Sequence, residues 1–413
     1  MNLNEIPTIY KAYIDPGTGS ALIAIFMGLI SIVIYGLKGL IIKLKSGIRI
    51  GKKVEYEHNN IVIYTDSKMY WNTFKPICDE FERRKINIKY LTQSKDDYIF
   101  NEKYEYVFSE FIGEGNKGLT KMNYLNADIV LSTTPSLNVY QWKRSKDVKW
   151  YIHIPHMPND ITTYKMFGID YFDAILTNGE FQNKLIRNLE SLRHLKQKEL
   201  KVVGLTYLDE LNNKFKSRNR ITNEITTVLL APSWGKSSTL NKYGEKLIDK
   251  LIETGYKIII RPHPQSFISE KEMIDNLMKK YPNIEWNRDF DNFGVLNKSD
   301  ILISDFSGVI FDFSLVFDKP IIYADTSFNK SPYDAGWLNE EMWTFEILPK
   351  LGNELNENNI NNIKELIDDT LTNDKYSKGR EQARLEAWNN KGNAAKNIVD
   401  YIENKEKEIT KPL

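Results

Sequence analysis

The sequence predicts an α/β protein with two doubly wound parallel sheets, preceded by one membrane-spanning helix, and three features support this fold class. From residue 60 onward, short runs of β-branched and other apolar residues alternate with amphipathic stretches of helical length. Several of these runs have no polar interruption, which is typical of strands buried on both faces of a parallel sheet. The chain of 413 residues has room for two domains, each with its own core.

The composition limits which partners the protein can bind and which cellular compartment it occupies. A formal net charge of +1 with 27% charged residues argues against nucleic acid as the main partner, because such binding needs a basic surface. Cys78 is the single cysteine, so the chain has no disulfide framework. A reducing compartment therefore fits the bulk of the chain.

An apolar segment near the N-terminus predicts a single membrane span at about residues 20–42. Residues 16–37 carry no charge, and a bilayer core of about 30 Å needs about 20 such residues. A buried core helix would show a polar stripe that this segment lacks. A signal peptide would carry its basic flank before the apolar run, whereas here the flank follows it. We assign residues 1–53 as a membrane anchor with a basic flank.

The basic flank sets the predicted orientation in the cell membrane. By the positive-inside rule, the large C-terminal part lies on the cytoplasmic side of a single-pass protein. The same flank could also hold the protein against anionic lipid, or serve only to stop membrane transfer. Its basic residues are Lys38, Lys43, Lys45, Arg49, Lys52 and Lys53.

Residues 54–222 are predicted to form the first doubly wound domain. We expect strands at 61–64, 86–91, 128–131 and 173–176, and helices at 70–84 and 180–192. The third strand ends in Ser132 and Thr133, hydroxyl side chains at a position where α/β proteins bind ligands. The alternative is ordinary loop chemistry. We expect the polar stretch 205–223 to be an irregular crossing between domains.

Two histidines follow the strand at 150–154 and are candidates for the acceptor side of an active site. His153 shares a face of the strand with Tyr151 and Pro155, which favours a structural role. His156 falls just past the strand, and a histidine can accept a proton from an attacking hydroxyl at neutral pH. Further metal ligands are lacking nearby, so a zinc site is not expected.

Residues 223–413 are predicted to form the second domain. We expect strands at 227–231, 257–260, 300–303 and 320–323, with helices at 241–254 and 269–281 and a charged helical tail beyond 357. The loop after the first of these strands contains Ser233, Gly235 and Lys236, which could touch the phosphate or sugar of a donor or could form a plain surface loop.

Polar residues at two strand ends of this domain predict a phosphate site. Arg261 and His263 end one strand, and the Ser-Asp-Phe-Ser-Gly turn at 304–308 ends another. Glycine allows close approach of the backbone, hydroxyls donate, and a following helix offers free N–H groups. The alternatives are a helix cap, a packing glycine and a turn histidine. The candidates of the second turn are Ser304, Asp305, Ser307 and Gly308.

The runs at 229–235, 261–264 and 299–313 resemble the CDP-glycerol glycerophosphotransferase family, the teichoic-acid primases and polymerases of Gram-positive envelopes. The resemblance implies a GT-B fold, in which two Rossmann-like domains face a cleft and the C-terminal one binds a CDP-alcohol. It also implies a base on the N-terminal domain, where the family has His-Gly after a strand and this chain has His156 followed by Met157.

The predicted function is a membrane-anchored transferase that moves a polyol phosphate, glycerol phosphate first, to a lipid-linked or polymeric envelope acceptor and releases CMP. CDP-glycerol or a related CDP-alcohol is the expected donor substrate, with no tightly bound cofactor or metal. Expected partners are membrane lipid and a lipid-linked acceptor, and not nucleic acid. The alternatives are a sugar transferase of the same architecture that uses a nucleotide sugar, because fold alone does not determine function, and a non-catalytic membrane scaffold.

Overall fold

The computed structural model describes residues 57–411, except 220, 290, 373 and 374, and six positions nearer the N-terminus. The six fall within the predicted membrane span and are helical and exposed: Leu29, Ile30, Val33, Ile34, Gly36 and Leu37. Most of that span lies outside the described residues, so the membrane helix stays a prediction. Within the described part of the chain, no helix is both long and apolar enough to cross a bilayer.

The strands form two sheets in which every neighbouring pair is parallel. The first sheet contains β1 (Asn59–Thr65), β2 (Ile88–Thr92), β3 (Val107–Phe111), β4 (Ala127–Ser132), β5 (Val148–His153), β6 (Ala174–Thr177) and β7 (Glu199–Val202). The second sheet contains β8 (Thr227–Leu230), β9 (Lys257–Ile260), β10 (Glu285–Trp286), β11 (Ile301–Ser304), β12 (Ile321–Ala324) and β13 (Gly352–Leu355). The α/β prediction is confirmed.

Helices connect the strands and cover the sheets. The longer ones are Trp71–Arg84, Asn116–Asn123, Glu180–Leu192, Thr206–Ser217, Thr239–Glu253, Lys271–Lys280, Trp343–Leu351, Ile363–Thr372, Ser377–Ala387 and Ala394–Ile409. Shorter α-helical turns are Ser266–Ser269, Phe293–Lys298 and Val309–Phe311, and the last continues as a π-helix, Asp312–Val316. Short 3₁₀ turns are Lys68–Tyr70, Tyr98–Asn101, Ile161–Thr163, Asp334–Trp337 and Ile360–Asn362.

Strand order locates a switch point in each sheet. The first sheet runs β3-β2-β1-β4-β5-β6-β7 and the second runs β10-β9-β8-β11-β12-β13. In both, the chain leaves its first strand in one direction and later returns to that strand's other side. In open α/β sheets, ligands bind outside the carboxyl ends of the strands at such a point. Candidate sites therefore lie at the ends of β1 and β4, and of β8 and β11.

Burial on both faces explains the unbroken apolar strands. In β1, Ile61 and Ile63 pack into one apolar cluster, whereas Val62 and Tyr64 pack into a different one. All four side chains are at most 1% exposed. Since burying such a side chain stabilises a fold by roughly 1.5–3 kcal/mol, the central strands fix the rigid edges from which the loops extend.

The stretch at 205–223 differs from the sequence-based expectation, because it contains the helix Thr206–Ser217 rather than an irregular crossing. Leu208, Leu211 and Phe215 recur at helical spacing and pack into a core cluster of the second sheet. Polar residues between them hide this spacing in the sequence. The prediction of an irregular segment was wrong for this reason.

Two buried carboxylates join the two halves of the described chain. Asp160, in the loop after β5, accepts hydrogen bonds from the N–H groups of Trp343 (2.8 Å) and Thr344 (2.9 Å) and from the Thr344 hydroxyl (2.6 Å). It therefore satisfies free N–H groups at the start of the helix Trp343–Leu351. Asp334 pairs with Arg193 at 2.6 Å, and both side chains are nearly fully buried. These contacts hold the loop after β5 and the end of the helix Glu180–Leu192 against the second half.

Candidate active site

Asp305 organises the loops at the switch point of the second sheet. Its carboxylate is 1% exposed and accepts hydrogen bonds from the N–H groups of Ser233 (3.0 Å), Thr239 (2.9 Å) and Phe306 (2.8 Å). The Thr239 hydroxyl adds a fourth bond at 2.9 Å. Asp305 thus ties the loop after β8 to the turn after β11, and its oxygens are occupied by the protein itself.

The other residues of the turn after β11 divide into buried and accessible groups. The Ser304 hydroxyl is fully buried and donates to the Ala231 carbonyl at 2.6 Å. Ser307 and Gly308 are half-buried, and the Ser307 hydroxyl has no hydrogen-bond partner among the described residues. Of the predicted donor-binding residues in this turn, Ser307 and Gly308 are therefore the ones free to meet a ligand.

The loop after β8 contains the remaining donor-side candidates. Gly235 adopts a left-handed conformation with φ +87°, and its N–H donates to Glu270 at 3.0 Å. The Ser233 hydroxyl is buried without a partner in the described part of the chain. Lys236 is exposed, and Trp234 beside it is 46% exposed. The backbone of this loop is fixed, while Ser233 and Lys236 keep free polar groups.

Arg261 and His263 follow β9, which pairs with β8 on the side opposite to β11. Arg261 donates to the Asn287 side chain, and burial lowers the pKa of its guanidinium. His263 Nδ1 accepts a hydrogen bond from the Gln265 N–H at 3.1 Å. The neutral ring therefore carries its proton on Nε2. Burial lowers the pKa of His263, and the nearby charges of Asp305 and Glu270 oppose this effect. His263 is thus a neutral donor through Nε2.

Asp66 and Thr134 meet at the switch point of the first sheet. Asp66 directly follows β1, and its Oδ1 accepts a hydrogen bond from the Thr134 hydroxyl at 2.9 Å. Ser132, at the end of β4, is fully buried and donates to the Tyr64 carbonyl at 2.8 Å. Ser132 therefore supports the loop, whereas Asp66 is exposed in the crevice.

His156 lies beside this point and is held by aromatic rings and by Thr133. Its Nδ1 lies 2.9 Å from the Thr133 hydroxyl oxygen. The His156 ring packs against Tyr70, with centroids 4.6 Å apart, and Tyr164 is 6.2 Å away. Burial lowers the pKa of His156 to about 4. The imidazole is therefore neutral near pH 7 and can accept a proton.

Thr133 occupies one nitrogen of His156. The buried Thr133 hydroxyl lies 2.9 Å from His156 Nδ1, and Nε2 has no hydrogen-bond partner among the described residues. The Tyr164 hydroxyl lies 3.2 Å from Nε2 of His153. His153 is fully buried, and burial lowers its pKa to about 3. His153 thus occupies a structural position behind His156.

The histidine loop of the first half and the glycine turn of the second half are in contact. A Cβ atom built on Gly308 would lie 2.8 Å from Met157 Sδ and 3.2 Å from Asn159 Oδ1. Met157 directly follows His156, so the two switch points meet within one residue of the candidate base. A Cβ atom at 308 would press on the Met157 side chain, so glycine leaves room for this contact.

Four residues near these loops were not singled out by the sequence: Asp66, Tyr70, Asn159 and Tyr164. Asp66 follows the same pattern as Ser132, a polar residue at the carboxyl end of an apolar strand, so this signal was present. The aromatic residues gave no such signal, because their approach to His156 depends on packing between distant segments.

Carboxylates near the second-sheet site are paired with other side chains. Asp289 and Asp291 form an Asp-x-Asp pair in the sequence, contrary to the expectation that the chain has no such pair to hold a metal. Asp289 accepts from Asn287 at 2.8 Å, and Asp291 pairs with Lys214 at 3.1 Å. No cluster of three or more histidine, cysteine, aspartate or glutamate residues suited to a metal ion occurs within the described ranges.

Comparisons with known proteins identify a family and solved structures of similar fold. The sequence model of the family described as CDP-Glycerol:Poly(glycerophosphate) glycerophosphotransferase matches residues 181–404. The teichoic acid glycerol-phosphate primase of Bacillus subtilis (strain 168) is 24% identical over 362 residues, covering 80% of this chain and 88% of that protein. This relative extends the likeness beyond the residues matched by the family.

Two solved structures show the same fold. The wall teichoic acid polymerase TagF superposes with a TM-score of 0.59 at 16% identity, covering 94% of this chain and 99% of that one. A protein assigned as a UDP-N-acetylglucosamine 2-epimerase from Listeria monocytogenes gives a TM-score of 0.55 at 14% identity, with 86% and 99% covered. At these identities the likeness establishes a GT-B-like architecture of two parallel sheets.

Proposed function

The chain belongs to the CDP-glycerol:poly(glycerophosphate) glycerophosphotransferase family and is a glycerophosphotransferase of teichoic acid synthesis, and we propose that it transfers glycerol phosphate from CDP-glycerol to a lipid-linked or polymeric envelope acceptor and releases CMP. The contact between the Gly308 turn and the His156 loop carries this proposal. It sets the Gly308 turn, which we propose as the phosphate cradle, beside the loop that carries the neutral His156. Those are the parts that transfer of a phosphoryl group to a hydroxyl requires.

The second half, residues 223–413, acts as the donor domain. The diphosphate of the donor lies against Ser307 and Gly308, and the free groups of Ser233 and Lys236 reach its phosphate or sugar. Gly235 maintains the conformation of the loop after β8. Ser304 and Asp305 stabilise this loop and the turn after β11, since their side chains hydrogen-bond to other parts of the protein. Arg261 and His263 offset the negative charge that collects on the leaving CMP.

The first half, residues 54–222, acts as the acceptor domain. His156 Nε2 accepts the proton of the acceptor hydroxyl while the hydroxyl oxygen bonds to the phosphorus that carries glycerol. The bond from that phosphorus to the bridging oxygen breaks, and its electron pair leaves with CMP. Thr133, Ser132 and His153 act behind His156, because Thr133 bonds its Nδ1 and the other two support the surrounding structure.

Membrane attachment completes the proposal. The N-terminal segment 1–53 anchors the enzyme to the cytoplasmic side of the cell membrane, where the activated donor and the lipid-linked acceptor meet. Its apolar run and basic flank support this assignment.

The proposal is tested by donor choice. Detergent-purified full-length protein is incubated with CDP-glycerol, CDP-ribitol or UDP-sugars, together with a membrane lipid extract, and the released nucleotide is measured. We expect CMP with CDP-glycerol and a large loss of release in His263→Ala. His58→Ala is the matched control, because His58 bonds Asn126 and Asp128 away from both switch points. Release of UDP from a UDP-sugar, or no release from any donor, would overturn the proposal.

A further inference from the structure

Asn159 has a side-chain amide without an internal partner, at the contact between the two switch points. Its Oδ1 is buried and accepts no hydrogen bond in the described part of the chain. The same oxygen would lie 3.2 Å from a Cβ atom built on Gly308. A buried acceptor that has lost its bonds to water without a replacement destabilises a folded protein. A ligand that donates a hydrogen bond to Oδ1 would remove this penalty.

The backbone around this amide is fixed by buried side chains. Gln182 is fully buried, donates to the Asn159 carbonyl at 2.7 Å and accepts from the Ile161 N–H at 2.8 Å. The next residue, Asp160, binds the start of the helix Trp343–Leu351. The Asn159 side chain is therefore held in position by its neighbours while its own polar atoms stay available. This arrangement is typical of a group that binds a ligand on a rigid scaffold.

Asn159 lies beside the place that the proposed reaction gives to the transferred group. The phosphorus that carries glycerol would lie between the Gly308 turn and His156, so its glycerol would occupy the space next to the contact of Asn159 with that turn. In CDP-glycerol, the two glycerol carbons that are not esterified carry neighbouring hydroxyls. A carboxamide can accept a hydrogen bond from one hydroxyl through Oδ1 and donate to the other through Nδ2.

We infer that Asn159 binds the two neighbouring hydroxyls of the transferred glycerol and thereby selects a polyol donor over a donor that carries a simple alcohol. The inference rests on the proposed function and adds how the alcohol of the donor is recognised. A simple alcohol leaves the buried Oδ1 unpaired, and sites built around such bonds discriminate against substrates that lack the hydroxyl. Because Asn159 belongs to the first half and Gly308 to the second, recognition of the donor requires both halves.

The test compares two donors in the full-length enzyme, with the same membrane lipid extract as the source of acceptor. One donor is CDP-glycerol, and the other is the CDP ester of propanol, which has the same carbon chain without the free hydroxyls. We expect the wild type to show an apparent kcat/KM about tenfold higher for CDP-glycerol. In Asn159→Ala this preference should largely disappear, because only the reaction with CDP-glycerol becomes slower.

Binding measurements separate recognition of glycerol from general damage to the site. In isothermal titration calorimetry, Asn159→Ala should bind CDP-glycerol about fivefold more weakly than the wild type. CDP lacks the glycerol and should bind equally well to both proteins.

Asn123→Ala is the matched control, because Asn123 is also a half-buried asparagine but bonds Gln141 and Lys143 near the amino end of β4, away from the crevice. It should keep the wild-type preference. An unchanged preference in Asn159→Ala, an equal loss with both donors, or a wild type that uses both donors equally well would overturn the inference. Failure of the proposed function is separate, because the wild type would then release no CMP from CDP-glycerol.

Discussion

The two switch points present their chemistry in opposite ways. At the second sheet, the polar side chains of Ser304 and Asp305 bind the protein itself, and the backbone and small residues face the cleft. At the first sheet, Asp66 and His156 turn their own functional groups to the cleft. Function at the Asp305 turn therefore depends on the rigidity of loops, whereas function on the acceptor side depends on individual side chains. Substitutions in the Asp305 turn should therefore lower stability, whereas substitutions at His156 should lower activity.

Replacing His156 should give the largest loss of activity with little loss of stability. We expect His156→Gln to lower kcat by about 10³-fold, within the range for removal of a general base. The glutamine keeps a polar group near Thr133, so the midpoint of urea unfolding should stay close to the wild-type value. Steady-state CMP release and urea denaturation measure the two effects, with His58→Gln as the control on an unrelated histidine. A large fall in stability with normal kcat would break the comparison.

Replacing Asp305 should show the opposite balance. Asp305→Ala removes four hydrogen bonds to a buried carboxylate and leaves their donors without partners. We expect the free energy of unfolding to fall by about 3 kcal/mol, and the KM for CDP-glycerol to rise because the loop after β8 loses its anchor. Asp325→Ala is a control, since Asp325 is a half-buried aspartate that binds Lys242 near the same sheet. If Asp305→Ala raised the donor KM and left stability unchanged, Asp305 would be a direct ligand instead.

The same contrast explains what could be read from the sequence. The strand ends of the second half were visible because unbroken apolar runs stop at distinctive turns such as 261–264 and 304–308. The structure of each turn depends on its own glycine, proline and hydroxyl residues, so a short stretch of sequence is enough to recognise it. The strands β8, β9, β11 and β12 and their loops were therefore predicted close to their observed bounds.

The acceptor side could be read only in part. His156 was found because it follows a strand, but its partners Tyr70 and Tyr164 come from other segments, and their approach is set by packing. The short edge strands β10 and β13 and the helix Thr206–Ser217 were also missed. Edge strands of two or four residues and polar amphipathic helices show only a weak hydrophobic periodicity in the sequence. Their secondary structure is set by the elements they pack against in the folded protein.

Replacing Gly308 tests the contact that joins the two switch points. In Gly308→Ala, the new methyl group would press on Met157 Sδ and Asn159 Oδ1 and move the histidine loop away from the turn. We expect kcat to fall about tenfold, because a shift of under 1 Å already weakens alignment of reacting groups. Met157 is exposed and lies outside the apolar core, so stability should change little. The double variant Gly308→Ala, Met157→Ala should recover most of the activity. No recovery would mean that the alanine acts on the donor cradle alone.

The smallest expected effect is a pH dependence of stability that comes from His153. Burial lowers the pKa of this side chain to about 3 in the folded protein, whereas an unfolded histidine titrates near 6.5. Between these values the unfolded chain binds the extra proton, so the free energy of unfolding falls as the pH is lowered through 6.5.

We expect His153→Gln, which can still hydrogen-bond Tyr164, to lose about 1.6 kcal/mol less stability than the wild type between pH 6.5 and pH 5. Urea denaturation at several pH values measures this difference, and the carboxylates common to both proteins cancel. Equal slopes would mean that His153 binds its proton as readily in the folded state as in the unfolded chain. The acceptor side would then hold a second titrating histidine close to His156, and its contrast with the donor side would no longer depend on His156 as a single base.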